Sequence, residues 1–200
     1  MKILAIGAHS DDIEYGCGGA ILEYMLKEFC IVEMLIMSTP GYTRVKEQDK
    51  AREKIECCKI YYYDADDTKI KFNHDTIHFI ERKIKELEPN IIFIPYWDDT
   101  HQDHRNVSRA CLAASRYQKN VLAYESLTSI DFMPSVFMEL KGTPDKTKFD
   151  LLSCHKSQLE KTNIENKNYL ELAEATAIFR GIQARCSYAE GFVPVRHLIR

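Results

Sequence analysis

The sequence predicts an α/β fold, a Rossmann-like, mostly parallel sheet with helices on both faces, formed as a single domain over residues 1–200. Three observations predict it. Short apolar runs alternate with amphipathic helical patterns through the first hundred residues. The runs are continuous rather than alternating, as in strands buried on both faces. No repeat or low-complexity linker divides the chain, and 200 residues suffice for one sizeable core.

Residues 2–8 read as the first buried strand. Gly18 to about Phe29 reads as a helix, with Ile21, Leu22, Met25, Leu26 and Phe29 on one broad face. Ile31 to Ser38 is the second strand, broken by Pro40-Gly41. Val45 to Cys58 carries Ala51, Ile55 and Cys58 at helical spacing, and Ile60 to Tyr63 is a short aromatic strand. Asn73 suits the N-cap of a helix whose stripe is Ile77, Ile80, Ile84 and Leu87, and which stops before Pro89. Ile91 to Tyr96 is the fourth strand. The helix after it places Val107, Ala110, Cys111, Ala114 and Tyr117 on one side. Val121 to Glu125 is a fifth strand and Val136 to Leu140 a sixth. Helices are expected around 146–162 and 168–181, and the charged stretch 156–168 reads as a solvated helix face or loop.

Composition excludes several classes. A net charge of -3 gives no electrostatic argument for nucleic acid. The apolar runs fall short of a bilayer span, and the N-terminus lacks a secretory pattern. The seven cysteines are odd in number, include the adjacent Cys57-Cys58 and form no C-x-x-C pair. They fit reduced thiols in a cytoplasmic protein better than a disulfide framework.

Two clusters carry the chemistry: His9-Ser10-Asp11-Asp12 after the first strand and His101-Gln102-Asp103-His104 after the fourth. In a doubly wound sheet of order 3-2-1-4-5 these strands are neighbours, and ligands bind in the crevice at their carboxyl ends. A catalytic zinc takes about three protein ligands and keeps a position for water. His9, Asp12 and one of the two later histidines complete such a set. The other histidine is then free as an electrophile, and Asp11 lies where a general base must sit. A metal-dependent phosphoesterase fits the same residue types, with Asp98 and Asp99 as extra carboxylates, as does a ligand-binding subunit. Gly16-Cys17-Gly18-Gly19 lacks the spacing of a phosphate loop and has acidic neighbours, so close helix packing is expected there.

At these residues the chain resembles the LmbE-like (PIG-L) zinc-dependent N-deacetylases. Ala8-His9-Ser10-Asp11-Asp12 is similar to the family's Ala-His-Pro-Asp-Asp, and His101-Gln102-Asp103-His104 to its His-x-Asp-His. Further similarity lies in Ile13-Glu14, Gly16-x-Gly18-Gly19, Arg44 with Glu47, His155-Lys156-Ser157-Gln158, Arg180-Gly181 and Tyr188 to Phe192. The resemblance implies one Zn2+ per chain held by His9, Asp12 and His104. It implies Asp11 as general base, and His101, oriented by Asp103, as the group that stabilises the oxyanion or protonates the leaving amine. Arg44 and Tyr188 are the implied substrate contacts. The implied substrate is a small N-acetylated amino sugar or glycoconjugate. Relatives often assemble, so a homo-oligomer is also an expectation of the resemblance. Ser10 departs from the family's proline, which would fix φ and remove an N–H.

Overall fold

The continuous apolar runs form the strands. The computed structural model describes residues 1–39, 41–56, 58–142, 147–162 and 164–198, so the break expected at Pro40 lies outside the described residues. The strands are β1 (Lys2–Gly7), β2 (Ile31–Ile36), β3 (Cys58–Tyr62), β4 (Ile91–Pro95), β5 (Val121–Tyr124), β6 (Val136–Glu139) and β7 (Ala189–Arg196). They make one sheet of order β3-β2-β1-β4-β5-β7-β6. The first five are parallel; β7 runs antiparallel to both β5 and β6. The predicted 3-2-1-4-5 order is therefore present and is extended by an antiparallel pair.

β7 had no counterpart among the expected strands. Gly191 and Pro194 interrupt its apolar pattern. Pro194 is tolerated because it lies opposite Leu122 of β5 and beyond the span of β6, which pairs only with 189–192. The helix expected at 146–162 is instead the short α6 (Lys148–Leu152), followed by turns. The other helices are α1 (Asp12–Gly16), α2 (Gly18–Lys27), α3 (Tyr42–Lys54), α4 (His74–Leu87), α5 (Gln102–Ala114) and α7 (Tyr169–Ala184). Asn73 caps α4 as expected. Its side chain accepts from Thr76 N at 3.0 Å, and Thr76 Oγ1 accepts from Asn73 N at 3.1 Å.

The period of two along each strand divides the core into two layers. Ile3, Ala5, Met34, Ile36 and Phe93 pack with Ala20 and Ile21 of α2 on one face. Leu4, Ile6, Leu35, Ile92 and Ile94 pack with Ile80, Ile84, Val107 and Cys111 of α4 and α5 on the other. Each fully buried branched side chain contributes roughly 1.5–3 kcal/mol. No helix among the described residues is long and apolar enough to cross a membrane.

The glycine run packs α1 and α2 onto the sheet, as the sequence suggested. A Cβ at Gly16 would come within 1.9 Å of the Tyr124 ring, and one at Gly19 within 2.7 Å of Leu140. The α2 N-terminus is already occupied by a protein carboxylate. Glu190 accepts from Gly19 N at 3.0 Å and Ala20 N at 2.7 Å, and pairs with Lys148 Nζ at 2.8 Å. Cys17 is wholly buried beside it, and burial pushes its thiol well above the ordinary range, so it is core rather than a reactive group.

Candidate active site

Because β1 and β4 are adjacent, with Ile3 opposite Ile91, both His/Asp clusters leave the sheet at the same edge of the crevice. The turn after β1 is tight. Asp11 has φ 94° and ψ -25°, the dihedrals of the third residue of a type II turn, with Ser10 before it. Proline favours that preceding position, which gives a physical reason for the family's Pro where this chain has Ser10. The Ser10 side chain is buried, and its hydroxyl has no hydrogen-bond partner among the described residues.

Asp12 folds back on the strand end instead of capping α1. Its Oδ2 accepts from Ala8 N at 2.9 Å and His9 N at 2.8 Å. The same oxygen lies 3.7 Å from His9 Nδ1 and 3.4 Å from His104 Nε2. Despite burial, the flanking His104 and His9 hold this carboxyl well below the usual range, so it is ionised.

Each of these histidines has its outer nitrogen on another carboxylate. His9 Nε2 lies 3.1 Å from Asp103 and 3.0 Å from Asp67; His104 Nδ1 lies 3.0 Å from Asp99. Asp99 is fixed in turn by Ser126 Oγ at 2.5 Å, Thr128 Oγ1 at 2.6 Å and His101 N at 2.7 Å. Burial disfavours the His104 cation, but Asp12 and Asp99 together raise its pKa to about 10. Burial likewise opposes the His9 cation, and Asp103 and Asp12 overcome it.

His101 completes the group: His9, His101 and His104 each offer a ring nitrogen, all within 4.8 Å of one another. His101 is the N-cap of α5, and its Nδ1 accepts from Asp103 N at 3.2 Å. With Nδ1 an acceptor, the neutral ring carries its proton on Nε2. Burial and the neighbouring histidines lower its pKa, which favours that neutral form.

The two spacings around Asp12 Oδ2 suit a tetrahedral ion. Metal–ligand distances of about 2.0–2.2 Å place neighbouring ligand atoms roughly 3.3–3.6 Å apart, close to the 3.7 and 3.4 Å found around Asp12 Oδ2. Histidine ligands ordinarily donate their other N–H to a carboxylate, and His9 and His104 are both so arranged. A second group of ligand type, His9, Asp67 and Asp103, is built on His9 as well, so it is not a separate centre.

Asp11 stands apart from the imidazoles. Its Oδ1 accepts from Arg44 Nη2 at 2.5 Å, and the same nitrogen donates to the Ser10 carbonyl. The Tyr169 side chain lies close enough for the Asp11 and Asp12 carboxylates, after burial, to push its hydroxyl pKa up. Burial raises the Asp11 carboxyl to about 6 against the pull of Arg44.

Two expectations change here. The Asp103 carboxylate does not orient His101: besides His9 it accepts from Thr68 N at 2.7 Å and Ile70 N at 3.2 Å, and only its backbone N meets the His101 ring. Helix geometry decides this, because an N-cap side chain turns toward the first free amides. Tyr188 is not brought to the cluster: its hydroxyl donates to Glu174 at 3.0 Å, and its ring packs on Phe149. The tyrosine at Asp11 is Tyr169. Asp67 and Tyr169 carried no sequence signal as site residues, and Asp99 entered only as an extra carboxylate of the phosphoesterase alternative, not as the partner of His104.

Residues 4–115 match the PIG-L family model, GlcNAc-PI de-N-acetylase, a span that contains both clusters. The chain belongs to the PIG-L family. It is 32% identical over 167 residues to the uncharacterized deacetylase YaiS of Escherichia coli K12, covering 78% of this chain and 90% of that protein. Among solved structures, the PIG-L-family chain resembles the N,N'-diacetylchitobiose deacetylase of Pyrococcus horikoshii, with a TM-score of 0.81, 19% identity and coverage of 97% and 83% of the two chains. It equally resembles GalB, the 4-carboxy-2-hydroxymuconate hydratase of Pseudomonas putida KT2440, with a TM-score of 0.81, 19% identity and coverage of 100% and 98%. Those two likenesses establish a shared fold. A deacetylase and a hydratase both use it, so the reaction must be argued from the site.

Proposed function

We propose that this protein is a zinc-dependent amide hydrolase that removes the acetyl group from an N-acetylated amino sugar or its glycoconjugate. One observation carries the reading. Two buried imidazoles converge on one Asp12 oxygen, and each is held from behind by a carboxylate. His9 Nδ1, Asp12 and His104 Nε2 are the proposed ligands of one ion per chain. When bound, zinc polarises an acyl carbonyl and acidifies water.

The remaining roles belong to side chains. Asp11 accepts a proton from the attacking water; a carboxyl near 6 is suited to a base at neutral pH. His101 presents Nε2–H as a hydrogen-bond donor to the oxyanion, and the proton that Asp11 took from water passes to the departing amine. Arg44 holds Asp11, so its proposed contact with substrate is made while it serves that pair. The activities named for the family and for the diacetylchitobiose enzyme support an N-acetylglucosamine-type substrate.

The test is amine release from a panel of N-acetylated sugars by the zinc-loaded protein. Activity is expected to vanish with a chelator and return with zinc. Asp11→Asn is expected to retain one zinc and lose roughly 10²–10⁴-fold in kcat. Undiminished turnover in that variant would sink the base assignment. A protein that takes up no zinc and releases no amine would sink the whole reading.

A further inference from the structure

Several residues that resemble the family have no part in the chemistry above: Glu14, Glu47 and the run from His155 to Gln158. The fold gathers them around one face of α3. Arg44, at one end of that face, holds Asp11 Oδ1 at 2.5 Å. One turn on, Gln48 Nε2 donates to Glu14 Oε1 at 2.5 Å. Between them, Glu47 accepts from Ser157 N at 2.7 Å and from Ser157 Oγ at 2.6 Å. α3 thus grips the first turn of α1 at both Asp11 and Glu14, and is itself tied to the 155–158 turn.

His155 closes the frame. It and Glu14 are both 0% exposed, and His155 Nε2 lies 3.6 Å from Glu14 Oε2. Burial pulls the His155 pKa down, but Glu14 and then Asp11 raise it above its ordinary value. The arrangement is a buried His–Glu contact, longer than a hydrogen bond, whose carboxylate end sits three residues after Asp11.

α1 needs such support. It has five residues, too few to hold a helix by itself, and it starts at a left-handed aspartate that makes no side-chain cap bond. Local support for Asp11 is limited to the turn itself, in which Asp12 holds Ala8 N and His9 N, and to the Asp11 carbonyl, which accepts from Tyr15 N at 2.9 Å.

We propose that Glu14, Gln48 and His155 are positioning residues that aim the Asp11 carboxylate through the grip of α3 on the first turn of α1. The proposal rests on the deacetylase reading, with Asp11 as its base.

The test compares His155→Phe, His155→Gln and Gln48→Met, each alone and combined with Asp11→Asn. His155→Phe and Gln48→Met are expected to lower kcat by roughly ten- to a hundredfold, the scale set by misplacing a reacting group. KM is expected to stay within about twofold and zinc content to stay unchanged. His155→Gln, which keeps a donor for Glu14, is expected to recover most of the loss. In the Asp11→Asn background neither change is expected to lower the residual rate further. An equal loss in that background, or a KM rise with kcat unchanged, would overturn the proposal. If His155→Phe does not fold, Gln48→Met bears the same expectations without a stranded charge. Crystal structures of wild type and Gln48→Met give a readout independent of substrate. Loss of the Asp11–Arg44 contact supports the frame, and an unmoved Asp11 overturns it. A wild type inactive on every N-acetyl sugar would count against the deacetylase reading alone.

Discussion

Asp103→Ala is expected to weaken metal binding and the surrounding loop rather than the chemical step. The Asp103 carboxylate is fully buried and accepts from His9 Nε2 at 3.1 Å, Thr68 N at 2.7 Å and Ile70 N at 3.2 Å. Removing a carboxylate behind a metal-ligating histidine costs about 10–100-fold in affinity, or roughly 1.4–2.7 kcal/mol. Asp67 stands 3.0 Å from the same nitrogen and takes over part of the role, although it is 62% exposed. That compensation places the loss near the lower end. The two stranded amides each cost about 1–3 kcal/mol, so the metal-free protein is expected to lose ~2–6 kcal/mol. Asp103→Asn keeps an oxygen for one amide and should lose less stability for a similar loss in affinity. Competition with a chromophoric chelator measures the zinc Kd, urea unfolding of the metal-free protein measures stability, and kcat is read at saturating zinc. Unchanged zinc affinity with a falling kcat would refute the reasoning and assign Asp103 to His101 after all.

Ser10→Pro is expected to stabilise the protein by about 0.4–1 kcal/mol while keeping zinc, because it presets the residue before the left-handed Asp11; a lower urea midpoint would contradict the turn assignment. Glu190→Ala is expected to cost about 3–5 kcal/mol, since it leaves the 5% exposed Lys148 without its carboxylate and strips the α2 N-terminus of its acceptor. A loss below 1 kcal/mol in urea unfolding would show that the pair is dispensable. Gly16→Ala is expected to cost at least about 1–3 kcal/mol, because its Cβ would meet the Tyr124 ring at 1.9 Å and that ring is anchored by its hydroxyl bond to the Ile6 carbonyl. Wild-type stability in this variant would mean the ring has room to move.

Much of the fold and the heart of the site were legible because they follow from local rules. Continuous apolar runs marked the five parallel strands, and Asn73 marked a helix start through its capping chemistry. The two His/Asp clusters were legible because side chains at strand ends inherit the order of the sheet, so pairing β1 with β4 brings His9 and Asp12 to His104. The missed strand β7 shows the limit. Its Gly191 and Pro194 break the apolar pattern; Gly191 pairs with Phe137 of β6, and Pro194 is accommodated because β6 ends before it.

By itself, then, the sequence determined a mostly parallel α/β sheet, the pair of clusters at its switch point and the residue types for a metal hydrolase. The tertiary structure decided which partner each group has. It gave Asp103 to His9 rather than His101, brought Asp99 to His104 and Tyr169 to Asp11, and left Tyr188 on Glu174. The reason is physical. Strand and helix identity is written in the spacing of apolar side chains along the chain. The partner of a buried carboxylate depends on loops and helix ends that meet across tens of residues, where no periodicity records the contact.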